Sequence, residues 1–359
     1  MPAESRRADP FLMAGGGTGG HVIPALAVAQ ELRSRGREVF FVGTARGLEA
    51  KLVPQGGFRL ELIEIGGLNR VSPQQRITTL FRLPLTTLAC LRYKPAAVFS
   101  MGGYAAGPPV MAALARQIPV VVMEPNAIPG FTNRIIGRFV ARALLSFPGT
   151  ARYFPAGRTE LTGLPVREEF FQILPKPRGP VLNLLVTGGS QGSRTLNRAG
   201  RESWPLFRKA GLTVRIVHQS GPAGYEEMRQ AFAQSGLAGE IVPFIMDMPA
   251  AFAAADLVVC RSGAGAVSEL AAAGKPSVLV PFPFAADDHQ THNAEALERG
   301  GAAELVRDAE MTGERLVAVV QELAAASGRL QTMAEAARQF AHPGAARRAA
   351  DILEEVARF

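Results

Sequence analysis

Three glycine-rich turns are the parts of this sequence best suited to chemistry. Residues 15–21 (GGGTGGH), 188–193 (GGSQGS) and 261–269 (RSGAGAVSE) each follow a short apolar run and precede a helix-like stretch. Glycines let a ligand approach the backbone closely, and the start of a helix favours a phosphate or another polar group. A further loop, residues 281–290, also follows an apolar run. Because open α/β sheets bind ligands at the C-terminal ends of their strands, these loops predict a polar-ligand site.

Two residues beside these turns are candidates for a general base. His21 stands where the helix after the first turn begins, and the positive end of a helix disfavours imidazolium, so a neutral, proton-accepting His21 is expected. A structural histidine that caps the turn is the alternative. Glu124 precedes Pro125-Asn126 at the end of an apolar run. It is the second candidate, either as the base or as a group that positions the histidine.

Several nucleotide and metal sites are excluded by what the turns lack. The apolar run 39–43 ends without the acidic residue that would hold an NAD ribose. No Gly-Lys-Ser/Thr of a P-loop follows the first two turns, and no Asp-x-Asp is present to support a metal-bound sugar nucleotide. His289 and His292 follow Asp287-Asp288, but a metal there has little support from spacing. We therefore expect no metal and no other cofactor.

Apolar, β-branched runs alternate with alanine-rich, helix-like segments along the chain. Such runs are typical of parallel strands buried on both faces, and their alternation with helices favours an α/β, doubly wound architecture. The strand candidates are residues 11–14, 39–43, 97–100, 120–123, 181–187, 214–217, 256–260 and 277–281. Each half opens with a strand and a glycine turn. The sequence thus predicts two Rossmann-like parallel-sheet domains, 1–165 and 166–344, and a final helix over 345–359.

Composition and charge restrict the class of protein further. The 359 residues suffice for two domains, and the two cysteines fit a reducing cytoplasm. No apolar run is long enough to span a membrane, and no secretory signal is expected. Residues 1–165 contain 19 Lys and Arg against 9 Asp and Glu, with no acid from 65 to 123, whereas 166–359 contain 20 against 22. This basic half predicts an anionic partner, with a solvated face as the alternative.

The sequence also contains an ordered set of longer motifs. They are GGGTGGHVIPALAVAQEL, MGGYAAGPPV, EPNAIPGFTNR, GLPVR, VTGGSQGSRTLN, FIMDM and CRSGAGAVSELAAAGKPSVLVPFPFAADDHQTHNA. Together they closely resemble the MurG family, the N-acetylglucosamine transferase of peptidoglycan synthesis, over roughly residues 11–355. The resemblance implies a GT-B fold, in which two Rossmann-like domains face each other across a cleft and the last helix crosses back to the first domain.

The resemblance also implies a reaction. N-acetylglucosamine would pass from UDP-N-acetylglucosamine to the 4-hydroxyl of the muramoyl sugar of lipid I, an undecaprenyl-diphosphate-linked muramoyl peptide. The products would be lipid II and UDP, with inversion at the anomeric carbon. The expected partners are these substrates and an anionic membrane surface, with other cell-wall synthesis proteins as further candidates and no nucleic acid.

Matching motifs place the donor-side residues. By resemblance, Ser190 would contact the phosphates, Ile245 the uracil through its backbone, and Glu269 the ribose. Gln290 falls on the same donor site. So do the residues that open the helix after the third turn: Gly263, Ala264, Gly265, Ala266, Val267 and Ser268. The sequence departs from the family pattern of a glutamine pair at His289, so the contacts of that position are not carried over.

The acceptor side is assigned in the same way. Asn126 and Arg167 fall near the transferred sugar and the diphosphate. The acceptor-side loop corresponds to Thr18, Gly19, Gly20 and His21. Two other classes fit the residues alone: a different GT-B enzyme, such as a glycolipid glucosyltransferase or a sugar-nucleotide epimerase, and a noncatalytic nucleotide-sugar or nucleic-acid-binding protein. Few aromatic residues are interleaved with the basic ones, which argues against single-stranded nucleic acid.

A lipid acceptor requires a surface that reaches the bilayer, and the predicted surface is an apolar stripe with basic edges. Its members are Ile77, Leu80, Phe81, Leu85 and Leu88, flanked by Arg76, Arg82, Arg92 and Lys94. This pattern is typical of a helix that lies in the membrane interface. Packing of the stripe into the core of the first domain is the alternative. We expect a peripheral protein on the cytoplasmic face of the plasma membrane.

Overall fold

The computed structural model describes residues 9–17, 19–65, 84–177, 179–326 and 328–357. The chain forms two compact units, Met1–Val166 with Gly344–Phe359, and Arg167–Pro343. Thr18 and the predicted membrane-facing residues Ile77, Leu80, Phe81, Arg76 and Arg82 lie outside the described residues.

The first unit is built on a parallel sheet with seven strands among the described residues, in the order β3-β2-β1-β4-β5-β6-β7. The strands are β1 (Phe11–Gly15), β2 (Val39–Gly43), β3 (Arg59–Leu62), β4 (Ala97–Gly102), β5 (Val120–Glu124), β6 (Arg142–Leu145) and β7 (Thr159–Leu161). Every residue of β1, β2, β4 and β5 is buried. The continuous apolar runs therefore lie between two layers of helices, as parallel strands require.

The second unit repeats this plan with six parallel strands among the described residues, in the order β10-β9-β8-β11-β12-β13. They are β8 (Leu182–Thr187), β9 (Val214–Gln219), β10 (Ala238–Val242), β11 (Leu257–Cys260), β12 (Ser277–Leu279) and β13 (Ala303–Leu305). A core of buried aliphatic and aromatic side chains surrounds this sheet.

Helices alternate with the strands in both units. The α-helices are α1 (Gly19–Ser34), α2 (Glu49–Gln55), α3 (84–90), α4 (Gly107–Ala115), α5 (Phe131–Ile136), α6 (Glu168–Phe171), α7 (Arg194–Lys209), α8 (Tyr225–Ala233), α9 (Met248–Ala254), α10 (Ala264–Ala273), α11 (His289–Arg299), α12 (Gly313–Ala325), α13 (Arg329–Arg338) and α14 (Ala345–Val356). Short 3-10 helices occur at Tyr104–Ala106, Pro148–Tyr153, Pro222–Gly224, Ala286–Asp288 and Asp308–Glu310. None of the helices in the described ranges combines the length and hydropathy needed to cross a bilayer.

All eight predicted strands occur: 39–43 has the predicted bounds, and each of the others differs at one end by one or two residues. Five strands were missed: β3, β6, β7, β10 and β13. Four of these, β3, β7, β10 and β13, are edge strands with half-buried or exposed residues and no continuous apolar run. The fifth, β6, lies next to the edge strand β7 and begins with the exposed Arg142.

The helix α14 belongs to the first unit, where it packs against α1. The guanidinium of Arg35, which directly follows α1, pairs with Asp351 at 2.7 Å and with Glu354 at 2.9 Å. Arg37 pairs with the same Glu354 at 2.6 Å. Arg348 pairs with Glu160. These ion pairs fix α14 to the turn after α1 and to β7.

Candidate active site

The loops around His21 meet where the strand order of the first sheet reverses. β1 pairs with β2 on one side and with β4 on the other, so the connections that leave β1 and β4 diverge and open a crevice at their C-terminal ends. Gly17 has φ +91°, and a Cβ there would lie 3.5 Å from the ring of Tyr104, just after β4. The glycine turn after β1 and the loop after β4 therefore line one edge of the sheet together.

His21 lies in the first turn of α1, after Gly19 and the exposed Gly20. Its Nδ1 is 3.3 Å from the carbonyl oxygen of Gly16. Because a carbonyl only accepts, this contact requires the proton on Nδ1, which in a neutral ring leaves the lone pair on Nε2. A Cβ on Gly103 would lie 3.5 Å from the ring. The geometry orients Nε2 as the nitrogen able to accept a proton.

Glu124 is buried, and its carboxylate organises the loop that follows β5. Oε1 accepts hydrogen bonds from the backbone N–H and the side-chain amide of Asn126, at 3.0 and 3.1 Å. Oε2 accepts from the N–H of Gly130 at 3.1 Å and the amide of Asn133 at 2.9 Å. Burial raises the pKa of Glu124, and these hydrogen bonds oppose the rise. A carboxylate that already accepts four hydrogen bonds is better suited to position Asn126 than to take a proton from a substrate.

Sequence reasoning missed Glu49, the first residue of α2. The side chain is completely buried, at 0% exposure. Its carboxylate accepts hydrogen bonds from the N–H of Gly17 at 2.7 Å and from the N–H and hydroxyl of Thr44 at 2.9 and 2.8 Å. An acid in the first turn of a helix is ordinarily solvated, so the local sequence carries no sign of this burial.

In the second unit, the strand order reverses between β8 and β11. A cavity of about 1150 Å³ lies at the C-terminal ends of these strands. The turn after β8, the start of α10 and the loop 282–284 all contribute to its lining. The structure thus brings the second and third glycine turns and the 281–290 loop to one cavity, where sheets of this kind bind ligands.

The turn after β8 presents backbone N–H groups at the start of α7. Ser193 caps this helix by accepting the N–H of Leu196 at 3.3 Å. Gly189 and Gly192 have φ +85° and +75°, which glycine adopts without strain. Ser190 is exposed. Because the first residues of the 16-residue helix α7 line the cavity, its positive end suits a phosphate.

Glu269, on α10, lines the same cavity. Nothing in the described part of the chain donates a hydrogen bond to its carboxylate. Burial raises the pKa of Glu269 to about 7, and the nearby Arg167 guanidinium opposes the rise. A half-buried carboxylate without a donor suits a ligand that brings hydroxyl groups.

Gly263 caps the start of α10 through its extended backbone, and the helix begins with Ala264, Gly265, Ala266, Val267 and Ser268. Gly263 and Ala266 line the cavity, whereas Val267 is buried in the core. The predicted stretch is therefore divided between ligand-facing and packing positions.

Two further predicted contacts are constrained by hydrogen bonds within the protein. The Oε1 of Gln290 accepts the N–H of Phe282 at 3.0 Å, so the amide nitrogen is the part of this side chain available to a ligand. The N–H of Ile245 donates to Oε1 of Gln219 at 2.8 Å. A backbone contact from Ile245 to a ligand would have to use its carbonyl oxygen.

Arg261, which follows β11, was not singled out from the sequence. Its guanidinium donates to Asp308 at 2.5 Å and to the carbonyls of Val280 and Pro281, both at 3.0 Å. It also donates to the hydroxyl of Ser193 at 2.7 Å. Arg261 thus fixes the cap of α7 against the ends of the neighbouring strands.

No group of three or more His, Cys, Asp or Glu side chains suited to a metal occurs in the ranges that the structure describes. Asp287 and Asp288 form a tight turn with φ +50° and +51°. The ring of His289 contacts the carbonyl of Ala286 at 2.6 Å, and His292 contacts Glu295 at 3.2 Å. Asp288 accepts the hydroxyl of Thr291 at 2.6 Å, so the contacts of Asp288, His289 and His292 are separate.

Comparison with known proteins defines the class. Residues 11–145 match the glycosyltransferase family 28 N-terminal domain, and residues 183–354 match the glycosyltransferase family 28 C-terminal domain. The fold is that of a glycosyltransferase with the GT-B fold, which confirms the predicted fold class.

Whole-chain relatives define the family. A Solibacter usitatus protein is named UDP-N-acetylglucosamine–N-acetylmuramyl-(pentapeptide) pyrophosphoryl-undecaprenol N-acetylglucosamine transferase; it is 72% identical over 98% of this chain and 97% of its own length. A Syntrophus aciditrophicus protein of the same name is 42% identical over 86% and 88%. The crystal structure of Acinetobacter baumannii MurG has 35% identity and a TM-score of 0.81 over 97% of this chain and 99% of that one. The chain belongs to the MurG family, as its motifs predicted.

Proposed function

We propose that the chain is an inverting glycosyltransferase that moves N-acetylglucosamine from UDP-N-acetylglucosamine to the 4-hydroxyl of the muramoyl sugar of lipid I. The products are lipid II and UDP. The observation that carries this proposal is the 72% identity, over nearly the whole chain, to a transferase with that name. The cavity of the second unit and the crevice around His21 offer places for the donor and for a base.

The second unit holds the donor in this proposal. The backbone N–H groups of the turn after β8, with Ser190 and the start of α7, take the diphosphate. Glu269 accepts the ribose hydroxyls, and the amide nitrogen of Gln290 addresses the sugar. Arg167 adds positive charge near the departing diphosphate. Helix N-termini and a guanidinium thus stabilise the charge that develops on UDP.

The first unit supplies the base. Nε2 of His21 takes the proton of the acceptor 4-hydroxyl, and the resulting oxygen attacks the anomeric carbon on the face opposite UDP, which gives inversion. Asn126, held by Glu124, addresses the transferred sugar. Gly19 and Gly20 leave the backbone open beside the acceptor.

The proposal also places the protein at the cytoplasmic face of the plasma membrane, because lipid I carries a polyprenyl chain. Two described members of the predicted stripe, Leu85 and Leu88, and the nearby Leu62 support an interfacial surface. Leu62, Leu85 and Leu88 are 55%, 67% and 61% exposed. Leu62 and Leu85 border a recess of about 400 Å³ together with Arg92. Apolar side chains with a basic neighbour suit an anionic interface.

The test is a transfer assay with UDP-N-acetylglucosamine and a short-chain lipid I analogue. We expect a lipid II analogue and UDP in equal amounts. His21→Ala should lower turnover by more than about a hundredfold while UDP still binds, as loss of a general base predicts. His292→Ala, which removes a histidine that pairs with Glu295, is the matched control.

Three other results would contradict parts of the proposal. Conversion of the sugar nucleotide without the lipid would indicate an epimerase. Binding without turnover would indicate a noncatalytic protein. Near-normal turnover of His21→Ala would indicate that another residue is the base.

A further inference from the structure

One peptide unit connects a buried carboxylate to the proposed base. The N–H of Gly17 donates to Oε2 of Glu49 at 2.7 Å. The carbonyl of the same peptide unit belongs to Gly16 and accepts from Nδ1 of His21 at 3.3 Å. We infer that Glu49 is a positioning residue that orients and polarises His21 through this peptide. The inference rests on the proposed role of His21 as the base.

Among the described residues, the Glu49 carboxylate has hydrogen-bond donors but no cation beside it. Its side chain is fully buried, and among the described residues no Lys, Arg or His pairs with it. The donors are the N–H of Gly17 and the N–H and hydroxyl of Thr44. A buried carboxylate is stable only when its oxygens are hydrogen-bonded. The Gly17 N–H is therefore one of the donors that this buried carboxylate requires.

Glycines from three segments leave the space that this carboxylate fills. A Cβ built on Gly16, Gly43 or Gly47 would overlap the Glu49 side chain. These glycines follow β1, end β2 and precede α2. The turn that contains Gly16 thus closes around the carboxylate, which fixes the plane of the Gly16–Gly17 peptide.

The hydrogen bond to Glu49 also polarises the Gly16–Gly17 peptide. An N–H that donates to an anion makes the carbonyl of the same peptide a stronger acceptor, because hydrogen-bonded groups polarise one another. A stronger Gly16 carbonyl holds the proton on Nδ1 of His21 and keeps Nε2 as the accepting nitrogen. A carboxylate that orients a histidine directly would do the same; here the Gly16–Gly17 peptide lies between them.

Glu49→Gln tests this link because it keeps the shape of the side chain. The amide has one oxygen where the carboxylate has two, so either the Gly17 N–H or the Thr44 N–H loses its acceptor. We expect turnover to fall about ten- to a hundredfold, with the affinity for UDP unchanged because UDP binds the second unit. Glu38→Gln, an exposed acid of the first unit, is the matched control and should keep full activity.

A double-mutant cycle separates this role from a structural one. If Glu49 acts through His21, Glu49→Gln should lower turnover only slightly when His21 is already alanine. A general loss of folding would instead lower turnover by the same factor in both backgrounds. Equal losses in the two backgrounds, or full activity of Glu49→Gln when His21→Ala is inactive, would overturn the inference alone. Near-normal activity of His21→Ala would overturn the base assignment first, and the two failures are therefore distinguishable.

A measurement on the wild-type protein does not depend on whether Glu49→Gln folds. ¹⁵N NMR of labelled histidine, with the His21 signals assigned by their loss in His21→Ala, reports which ring nitrogen carries the proton. The inference requires the Nδ1–H form of the neutral ring. The Nε2–H form would overturn it.

Discussion

Replacing Glu269 by glutamine should make the second unit more stable above pH 7. Burial raises the pKa of this carboxyl from 4.5 to about 7. Between these values the folded state holds a proton that the unfolded chain has lost, so the free energy of unfolding falls as the pH rises and becomes level above pH 7. At about 1.4 kcal/mol for each pH unit, the loss reaches about 3 kcal/mol. Glu269→Gln removes the charge and recovers most of this loss at pH 8, but little at pH 5.

Thermal unfolding without ligand measures this effect. The midpoint difference between Glu269→Gln and wild type should widen from near zero at pH 5 to several degrees at pH 8, since 1 kcal/mol shifts the midpoint of such a domain by about 2–4 °C. Glu240→Gln, which replaces an exposed acid of the same unit, should show no such change with pH. A difference that is the same at pH 5 and pH 8 would refute the reasoning, because the carboxyl would then titrate as an exposed one does.

Glu269→Gln should weaken the binding of UDP, although it raises stability. In the proposed donor site the charged carboxylate accepts the ribose hydroxyls, so wild type should bind UDP at least about tenfold more tightly than Glu269→Gln at pH 8, as loss of a charged hydrogen bond predicts. The titration of UDP itself affects both proteins equally and cancels in the ratio. Equal affinities by calorimetry at pH 8 would remove Glu269 from the ribose.

Three other outcomes are expected. Gln290→Ala should weaken the binding of UDP-N-acetylglucosamine about tenfold more than that of UDP in calorimetry, because we propose that its amide nitrogen contacts the sugar; equal losses for both ligands would contradict this. Activity should persist in excess EDTA, because in the proposed site helix N-termini and a guanidinium balance the diphosphate charge; full loss of activity that magnesium or manganese restores would show an overlooked metal. Leu85→Ser with Leu88→Ser should reduce co-sedimentation with anionic vesicles several-fold, and wild-type binding should fall with salt; a lower unfolding midpoint of the double variant would instead place these side chains in the core.

The central strands could be predicted because their physics is local. Runs such as Val39–Gly43 are apolar throughout and buried on both faces, so the sequence itself carries the signal. The edge strand Arg59–Leu62 has no buried residue, and only its pairing with β2 makes it a strand. Strands of this kind depend on a neighbour that is distant in the sequence, which local patterns do not reveal.

The candidate site residues show the same difference between local features and contacts that join distant segments. Glycine turns and the helix starts after them are local features, and His21 could be singled out from its position beside one of them. The partners that act on these residues come from other segments. Glu49 reaches Gly17 across 32 residues, and Arg261 reaches Ser193 across 68. The local sequence around these residues does not indicate either contact, so both are seen only in the structure.

The attachment of α14 to α1 has a consequence for the order in which the protein is made. Arg35 and Asp351 are 316 residues apart in the chain, so a ribosome adding about 5–20 residues per second needs about 15–60 s to pass from one to the other. During that time all strands of the first sheet have emerged, but the helix that covers α1 has not. The second unit, Arg167–Pro343, is continuous and can complete its fold earlier. The half of the protein that is synthesised first is therefore expected to be the last to reach its native structure.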